Sequence, residues 1–220
     1  LYRILSIYKD FITLLSKDNI KIILSKRYAS RYTLYLLWTF NEYASKSDTK
    51  QVSTFESATK HYPIYITKYK GEDIVLCQAP VGAAAATQIL DWLIGYGVRE
   101  VISAGSCGAL EKFPESTFLV PNKALRDEGT SYHYAPPSRF VEISEKARKA
   151  IEETILEHSM KYQEVITWST DGFFRETKEK VAYRKSEGCA VVEMECSALA
   201  ACADFRGATW GMILYTADSL

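Results

Sequence analysis

The sequence predicts an α/β fold in which helices cover both faces of a central mixed sheet, and three observations carry that expectation. Residues 73–77, 83–96 and 99–104 read strand, helix, strand, the pattern of a parallel pair joined by a crossover helix. Residues 64–69 and 73–77 alternate in polarity on either side of Lys70-Gly71-Glu72, which predicts an antiparallel hairpin. Farther on, apolar β-rich segments at 117–120, 123–125, 164–168, 190–192 and 209–215 are interleaved with helical patterns at 141–161, 178–187 and 196–203.

A chain of 220 residues is long enough to bury the core of one large domain, and no Gly/Pro/Ser-rich linker divides it, so residues 1–220 are expected to form a single domain. Lys+Arg and Asp+Glu stand at 27 each, a formal net charge of zero that argues against nucleic acid or an anionic membrane as partner. No apolar run approaches the ~20 residues that cross a bilayer. The cysteines, Cys77, Cys107, Cys189, Cys196 and Cys202, are odd in number and lie in apolar surroundings without metal-ligand spacing. They read as reduced core residues of a cytoplasmic protein that holds no metal. The chain opens on Leu1 without a signal-peptide pattern, so part of the natural N-terminus is expected to be missing.

In chain order, apolar residues recur at helical spacing over 1–15, a short strand fits 20–24, a helix fits 32–43, and 45–53 reads as polar loop. None of this carries recognisable chemistry. After the hairpin, Ala79-Pro80-Val81-Gly82 leads into the helix at 83–96, which stops at Gly97. The next strand ends in Gly105-Ser106-Cys107-Gly108-Ala109-Leu110. Two glycines bracketing a hydroxyl let backbone N–H groups and Ser106 converge on an anion, although a plain turn has the same composition. The loop lacks the lysine of a P-loop, which speaks against a nucleoside triphosphate.

The string Arg126-Asp127-Glu128-Gly129-Thr130-Ser131-Tyr132-His133 holds one histidine among aromatics, and no general rule makes it catalytic. Ser169-Thr170-Asp171-Gly172-Phe173-Phe174 closes the strand at 164–168, its phenylalanines serving either as a plate for a ligand or as core. At Val191-Val192-Glu193-Met194-Glu195-Cys196-Ser197-Ala198-Leu199 a short buried strand meets a buried helix, with two carboxylates at the seam. On extended backbone Glu193 and Glu195 point to one side and can face one ligand. Acids held at a helix N-terminus, where negative charge is favoured, are the other reading.

The seam resembles the Glu-Met-Glu segment of the nucleoside phosphorylase family, the branch of hexameric purine nucleoside phosphorylases, uridine phosphorylases and related nucleosidases. Ser103-Ala104-Gly105-Ser106-Cys107-Gly108-Ala109-Leu110 is similar to the phosphate loop of its purine enzymes, and Asp127-Glu128-Gly129-Thr130-Ser131-Tyr132-His133 to another of its segments. The likeness spans about 71–218 and is nearest to the hexameric type; residues 1–70 form an atypical N-terminal part without the family's Gly-Asp-Pro loop. It implies a three-layer α/β/α sandwich whose mixed sheet is partly barrel-like.

The resemblance also implies roles. Glu195 would hold the ribose hydroxyls and Met194 would lie against the sugar, Glu193 staying a substrate-binding candidate from its spacing alone; Phe173 would stack on the base, and Ser106 and Gly82 would face phosphate. Asp218, in Thr216-Ala217-Asp218, would protonate a purine. Thr177 and Glu179 stand where uridine phosphorylases carry a glutamine and an arginine, which points away from uridine. Ser103 stands where family phosphorylases carry an arginine, and Pro80-Val81-Gly82-Ala83-Ala84-Ala85 replaces a Gly-x-Gly-x-Pro-Ser segment, so Arg126, Arg139, Arg175 or a neighbouring subunit would have to supply charge.

The expected activity is that of a purine-leaning nucleoside phosphorylase, with inorganic phosphate as co-substrate, no cofactor, and a homo-oligomeric state (dimer or trimer of dimers). A nucleosidase using water, or a nucleoside-binding relative without turnover, are the alternatives.

Overall fold

Five strands close on themselves. In the computed structural model, which describes residues 22–25, 49–69, 72–114 and 117–219, strands β5 (Glu100–Ala109), β6 (Thr117–Asp127), β8 (Lys161–Thr170), β9 (Cys189–Glu193) and β10 (Thr209–Ser219) are laddered in the order β10-β6-β8-β9-β5. A further β10–β5 pairing shuts the ring. From β5 the same sheet extends outward through β1 (Ile22–Ser25), β4 (Glu72–Gln78), β3 (His61–Tyr69) and β2 (Lys50–Glu56), while β7 (Phe140–Glu142) pairs with β6. The sheet is mixed, since β1 runs parallel to β4 and β5 and the β3–β4 hairpin is antiparallel. The partly barrel-like sheet expected from the family resemblance is therefore present.

Period-two alternation along the strands makes the layers. Val101, Trp210, Met212 and Leu214 face helices α1 (Ala83–Gly95) and α4 (Cys196–Phe205), packing against Ile89, Leu90, Leu93 and Leu199. Their neighbours Ile102, Ala104 and Ile213 face the opposite way, onto Ala147, Ile151 and Ile155 of α2 (Glu145–Glu157). A smaller cluster of Leu125, Trp168 and Val192 takes Val181 of α3 (Lys178–Ser186). Gly211 lets α2 come close: a Cβ there would lie 2.8 Å from the Ala147 Cβ.

Several sequence expectations change. The loop expected at 45–53 gives way from Lys50 onward to β2, an edge strand so exposed that it needs no apolar alternation. The two strands expected at 117–120 and 123–125 are one, β6, whose register shifts between Pro121 and Lys123, where proline cannot donate to a ladder. The helix expected over 141–161 is shorter, because β7 occupies its start, the Ser144 side chain caps α2 by accepting from Ala147 N–H, and Lys161 begins β8. The strand of 20–24 appears as β1. The helices expected over 1–15 and 32–43 lie outside the described residues.

All five cysteines are buried thiols outside any disulfide, and burial pushes those of Cys77, Cys189 and Cys202 up to about 12. Among the described residues no helix is long and apolar enough to cross a membrane, and no group of three or more His, Cys, Asp or Glu could hold a metal ion.

Candidate functional site

The barrel register aligns one row of residues across four strands: Trp168 of β8 is opposite Val192 of β9, Val192 opposite Gly108 of β5, and Gly108 opposite Asp218 of β10. Ser106 and Glu193 each lie within two residues of this row, Ser106 opposite Tyr215 and Glu193 opposite Ser169. Strand direction alone does not gather them, because β9 runs antiparallel to β5 and parallel to β8. Closure of the ring does. Asp218, expected just past its strand, is inside β10.

The glycine segment is not a loop. Gly105–Ala109 continues β5, laddered to β10 and, at Gly108 and Ala109, to β9. Neither Gly105 nor Gly108 has a positive φ, so these amides do not curl into the anion-binding nest that the composition suggested. Ser106 remains 4% exposed, and its hydroxyl makes no hydrogen bond among the described residues. Gly82 does have a positive φ, 97°, at the N-cap of α1. Its N–H donates to Glu195 Oε1 at 2.6 Å instead of standing open to an anion.

The two seam carboxylates do not face one ligand. Extended geometry ends at Glu193, and Glu195, with φ −140° and ψ −25°, is already the N-cap of α4, so the two-residue alternation no longer applies. Glu193 is fully buried and works inside the protein. Its Oε1 accepts from the hydroxyls of Ser169 (2.5 Å) and Thr167 (3.3 Å), and its Oε2 from the backbone N–H groups of Glu195 and Cys196, both at 2.7 Å. A carboxylate with four donors has no capacity left for a sugar hydroxyl, so Glu193, expected beside the substrate, is a brace. Met194 is buried at 7% exposure between the two acids.

Sequence reasoning missed the rest of this brace. Ser197 N–H donates to Ser169 Oγ (2.9 Å), and Ser197 Oγ donates to Glu128 Oε1 (2.8 Å). Glu128 Oε2 in turn accepts from the N–H groups of Thr130 and Ser131. The positions are 28 and 69 apart in sequence, so no local pattern could have joined them. The Asp127-Glu128-Gly129-Thr130-Ser131 segment thus supports the seam through Glu128, and Gly129 N–H is tied to Asp171 Oδ2 at 3.0 Å, next to the Phe173 turn.

Phe173 and Phe174 are not core residues. They sit on a 3₁₀ turn, Phe173–Arg175, 45% and 89% exposed, with ring centroids 4.0 Å apart. An exposed aromatic pair beside a polar seam is available to stack on a planar ligand.

The arginines are mostly committed elsewhere. Arg126 is buried and donates to Ser131 Oγ, Ser138 Oγ and the carbonyls of Ala135 and Pro136, with its guanidinium over the Tyr132 ring. Arg139 makes a two-point bond to Glu187, whose carboxyl this guanidinium holds below its ordinary range. Ser103, at the family's arginine position, is a buried acceptor for Trp210 Nε1 at 3.0 Å. Two depressions, about 380 and 580 Å³, lie where β10 begins, the first under α2 and the second beside α4, away from the Ser106–Glu195 region.

The sequence profile described as the phosphorylase superfamily matches residues 39–220. A 5′-methylthioadenosine/S-adenosylhomocysteine nucleosidase from Buchnera aphidicola is 30% identical over 158 residues, 66% of this chain and 67% of the relative. A guanosine phosphorylase from Halorubrum lacusprofundi is 25% identical over 162 residues, 73% of this chain and 67% of the relative. Among solved structures, a uridine phosphorylase from Vibrio fischeri superposes with a TM-score of 0.75 at 23% identity, covering 90% of this chain and 80% of its own. A purine nucleoside phosphorylase from Toxoplasma gondii reaches 0.73 at 17% identity, covering 91% and 78%.

Proposed function

The chain belongs to the phosphorylase superfamily, and from that premise we propose that it breaks the N-glycosidic bond of a purine nucleoside, with water as the nucleophile. The observation that carries this reading is that, among the described residues, two of the arginines expected to reach Ser106 are held by other partners. Arg126 and Arg139 are bound to other partners, Ser103 replaces an arginine, and the Ser106 strand offers neutral donors. A phosphate dianion taken from water without charged partners leaves much of its desolvation cost uncompensated. Water carries no such cost. The nucleosidase relative supports the same direction.

In this mechanism the C1′–N bond lengthens and the sugar becomes oxocarbenium-like. Glu195, aimed by its bond from Gly82, accepts from the ribose hydroxyls and favours positive charge on the ring. Asp218 gives a proton to the purine so that the base leaves neutral. Water then forms the C1′–O bond and loses a proton, giving free base and free sugar. Phe173 stacks on the base. No cofactor takes part.

Phosphorolysis is the second reading, favoured by a buried Ser106 hydroxyl that makes no hydrogen bond among the described residues and by the guanosine phosphorylase relative. It requires an arginine from Arg175, from the N-terminal residues or from a neighbouring subunit of a homo-oligomer, a dimer or a trimer of dimers. One assay separates the two. Inosine, adenosine and methylthioadenosine are incubated with and without phosphate, and the sugar product is identified. Base release indifferent to phosphate, with free sugar, is the expected result; phosphate-dependent release with sugar 1-phosphate would establish phosphorolysis instead.

A further inference from the structure

Every free N–H at the start of α4 has an identified acceptor. Glu195 N–H and Cys196 N–H donate to Glu193 Oε2, Ser197 N–H donates to Ser169 Oγ, and Ala198 N–H donates to the Glu195 carbonyl at 3.1 Å. Glu195 is the N-cap residue, and an acidic side chain there ordinarily turns back to accept from the amides two or three positions on. It makes no such bond; its Oε1 accepts from Gly82 N–H, at the N-cap of another helix. Those amides are already taken, one of them by a serine from a different strand.

Ser169 is suited to this task because its single hydrogen is committed. The hydroxyl donates to Glu193 Oε1 at 2.5 Å, which leaves its lone pairs to accept Ser197 N–H at 2.9 Å. Ser169, Ser197 and Glu193 are each 0% exposed, so water does not substitute for a lost partner. An orphaned amide in this dry seam would claim the nearest carboxylate, and Glu195, two residues away, carries one.

We propose that Ser169 is a positioning residue: by capping Ser197 N–H and anchoring Glu193, it keeps the Glu195 carboxylate off the helix end and directed toward the ribose. The proposal rests on the reading that Glu195 holds the ribose hydroxyls. It makes Ser169 a determinant of discrimination between ribo- and 2′-deoxyribonucleosides without touching either.

The test compares kcat/KM for adenosine and 2′-deoxyadenosine in the wild type, Ser169→Ala and Ser197→Ala. The wild type favours the ribonucleoside by about 10-fold or more, the scale of one hydrogen bond to a charged group. Ser169→Ala loses most of that preference, because its Ser197 amide recaptures Glu195. Ser197→Ala keeps the preference, since the backbone N–H and its serine acceptor are intact, even though the bond to Glu128 is gone. A fall in activity from loosened structure would lower both substrates alike and leave the ratio standing.

If Ser169→Ala does not fold, Ser169→Cys, close in volume but only a weak acceptor, is read by the same ratio. A folded variant at position 169 that keeps the wild-type ratio overturns the positioning role while the reading of Glu195 stands. A wild type that cleaves both nucleosides equally well removes the reading of Glu195 itself, and the positioning role with it.

Discussion

Gly82 N–H donates to Glu195 Oε1 at 2.6 Å, joining the start of α1 to the start of α4 across 113 positions of sequence. The carboxylate therefore has one oriented donor in place before any ligand arrives, and catalytic sites depend on such preorganisation. Gly82 reaches this geometry through a φ of 97°, which side-chain-bearing residues rarely adopt.

Glu195→Gln retains an oxygen that can accept from Gly82 and removes only the charge. We expect kcat/KM on the best nucleoside to drop by ~100-fold or more, about 2.7 kcal/mol of transition-state stabilisation, with the thermal midpoint nearly unchanged. Steady-state kinetics beside a calorimetric melt check this, and near-normal turnover would remove Glu195 from the mechanism.

Asp218, opposite Gly108 in the barrel row, is proposed to protonate the leaving purine. Asp218→Asn should slow inosine and adenosine strongly while sparing a nucleoside whose leaving group needs no proton, such as a nitrophenyl riboside. Equal losses on both substrates would count against the proton. On the same reading uridine is the poorer substrate in matched assays, and faster cleavage of uridine than of inosine would refute the purine preference.

Gly211 provides a test of the fold apart from the chemistry. A Cβ at this position would sit 2.8 Å from the Ala147 Cβ and 3.1 Å from the Ile151 Cδ1. Gly211→Ala should cost about 1–3 kcal/mol through overpacking, read as a lowered urea midpoint with an unchanged slope. A double variant, Gly211→Ala with Ala147→Gly, should recover part of that loss.

Asp91 lies beside Arg206, whose two-point bond, at 2.7 and 3.0 Å, holds the carboxyl below its ordinary range; burial opposes this, and the Tyr134 hydroxyl adds to it. A carboxyl whose folded pKa lies below its unfolded value of about 3.9 contributes stability above that pH, and the contribution is lost as pH falls through the folded value. The wild type should lose stability between about pH 4 and pH 2, and Arg206→Ala should lose less over that window. The pair is partly exposed, so the difference is small and shrinks in salt. Urea midpoints at pH 7 and pH 2.5 for both proteins measure it.

The amino-acid sequence by itself determined the elements that local chemistry controls. Alternation in 64–77 marked the hairpin, β3 and β4. Gly97 marked the stop of α1, which ends at Gly95, and the apolar run at 190–192 marked β9. Each of these depends on residues within a few positions of one another, so periodicity and breakers suffice. The motifs that resemble the phosphorylase superfamily were legible for the same reason.

Only the tertiary structure decided what those motifs do for one another. Glu193 and Glu195 look equivalent in Glu-Met-Glu, yet one is a brace with four donors and the other is turned toward Gly82. Gly105 and Gly108 look like a loop, yet β10 pairs with both, and β9 with Gly108, keeping them extended. Arg126 looks available for an anion, yet the segment from Ser131 to Ser138 surrounds it. In each case the deciding partner lies on another element, and a hydrogen bond depends on distance in space, which the order of residues along a chain does not contain.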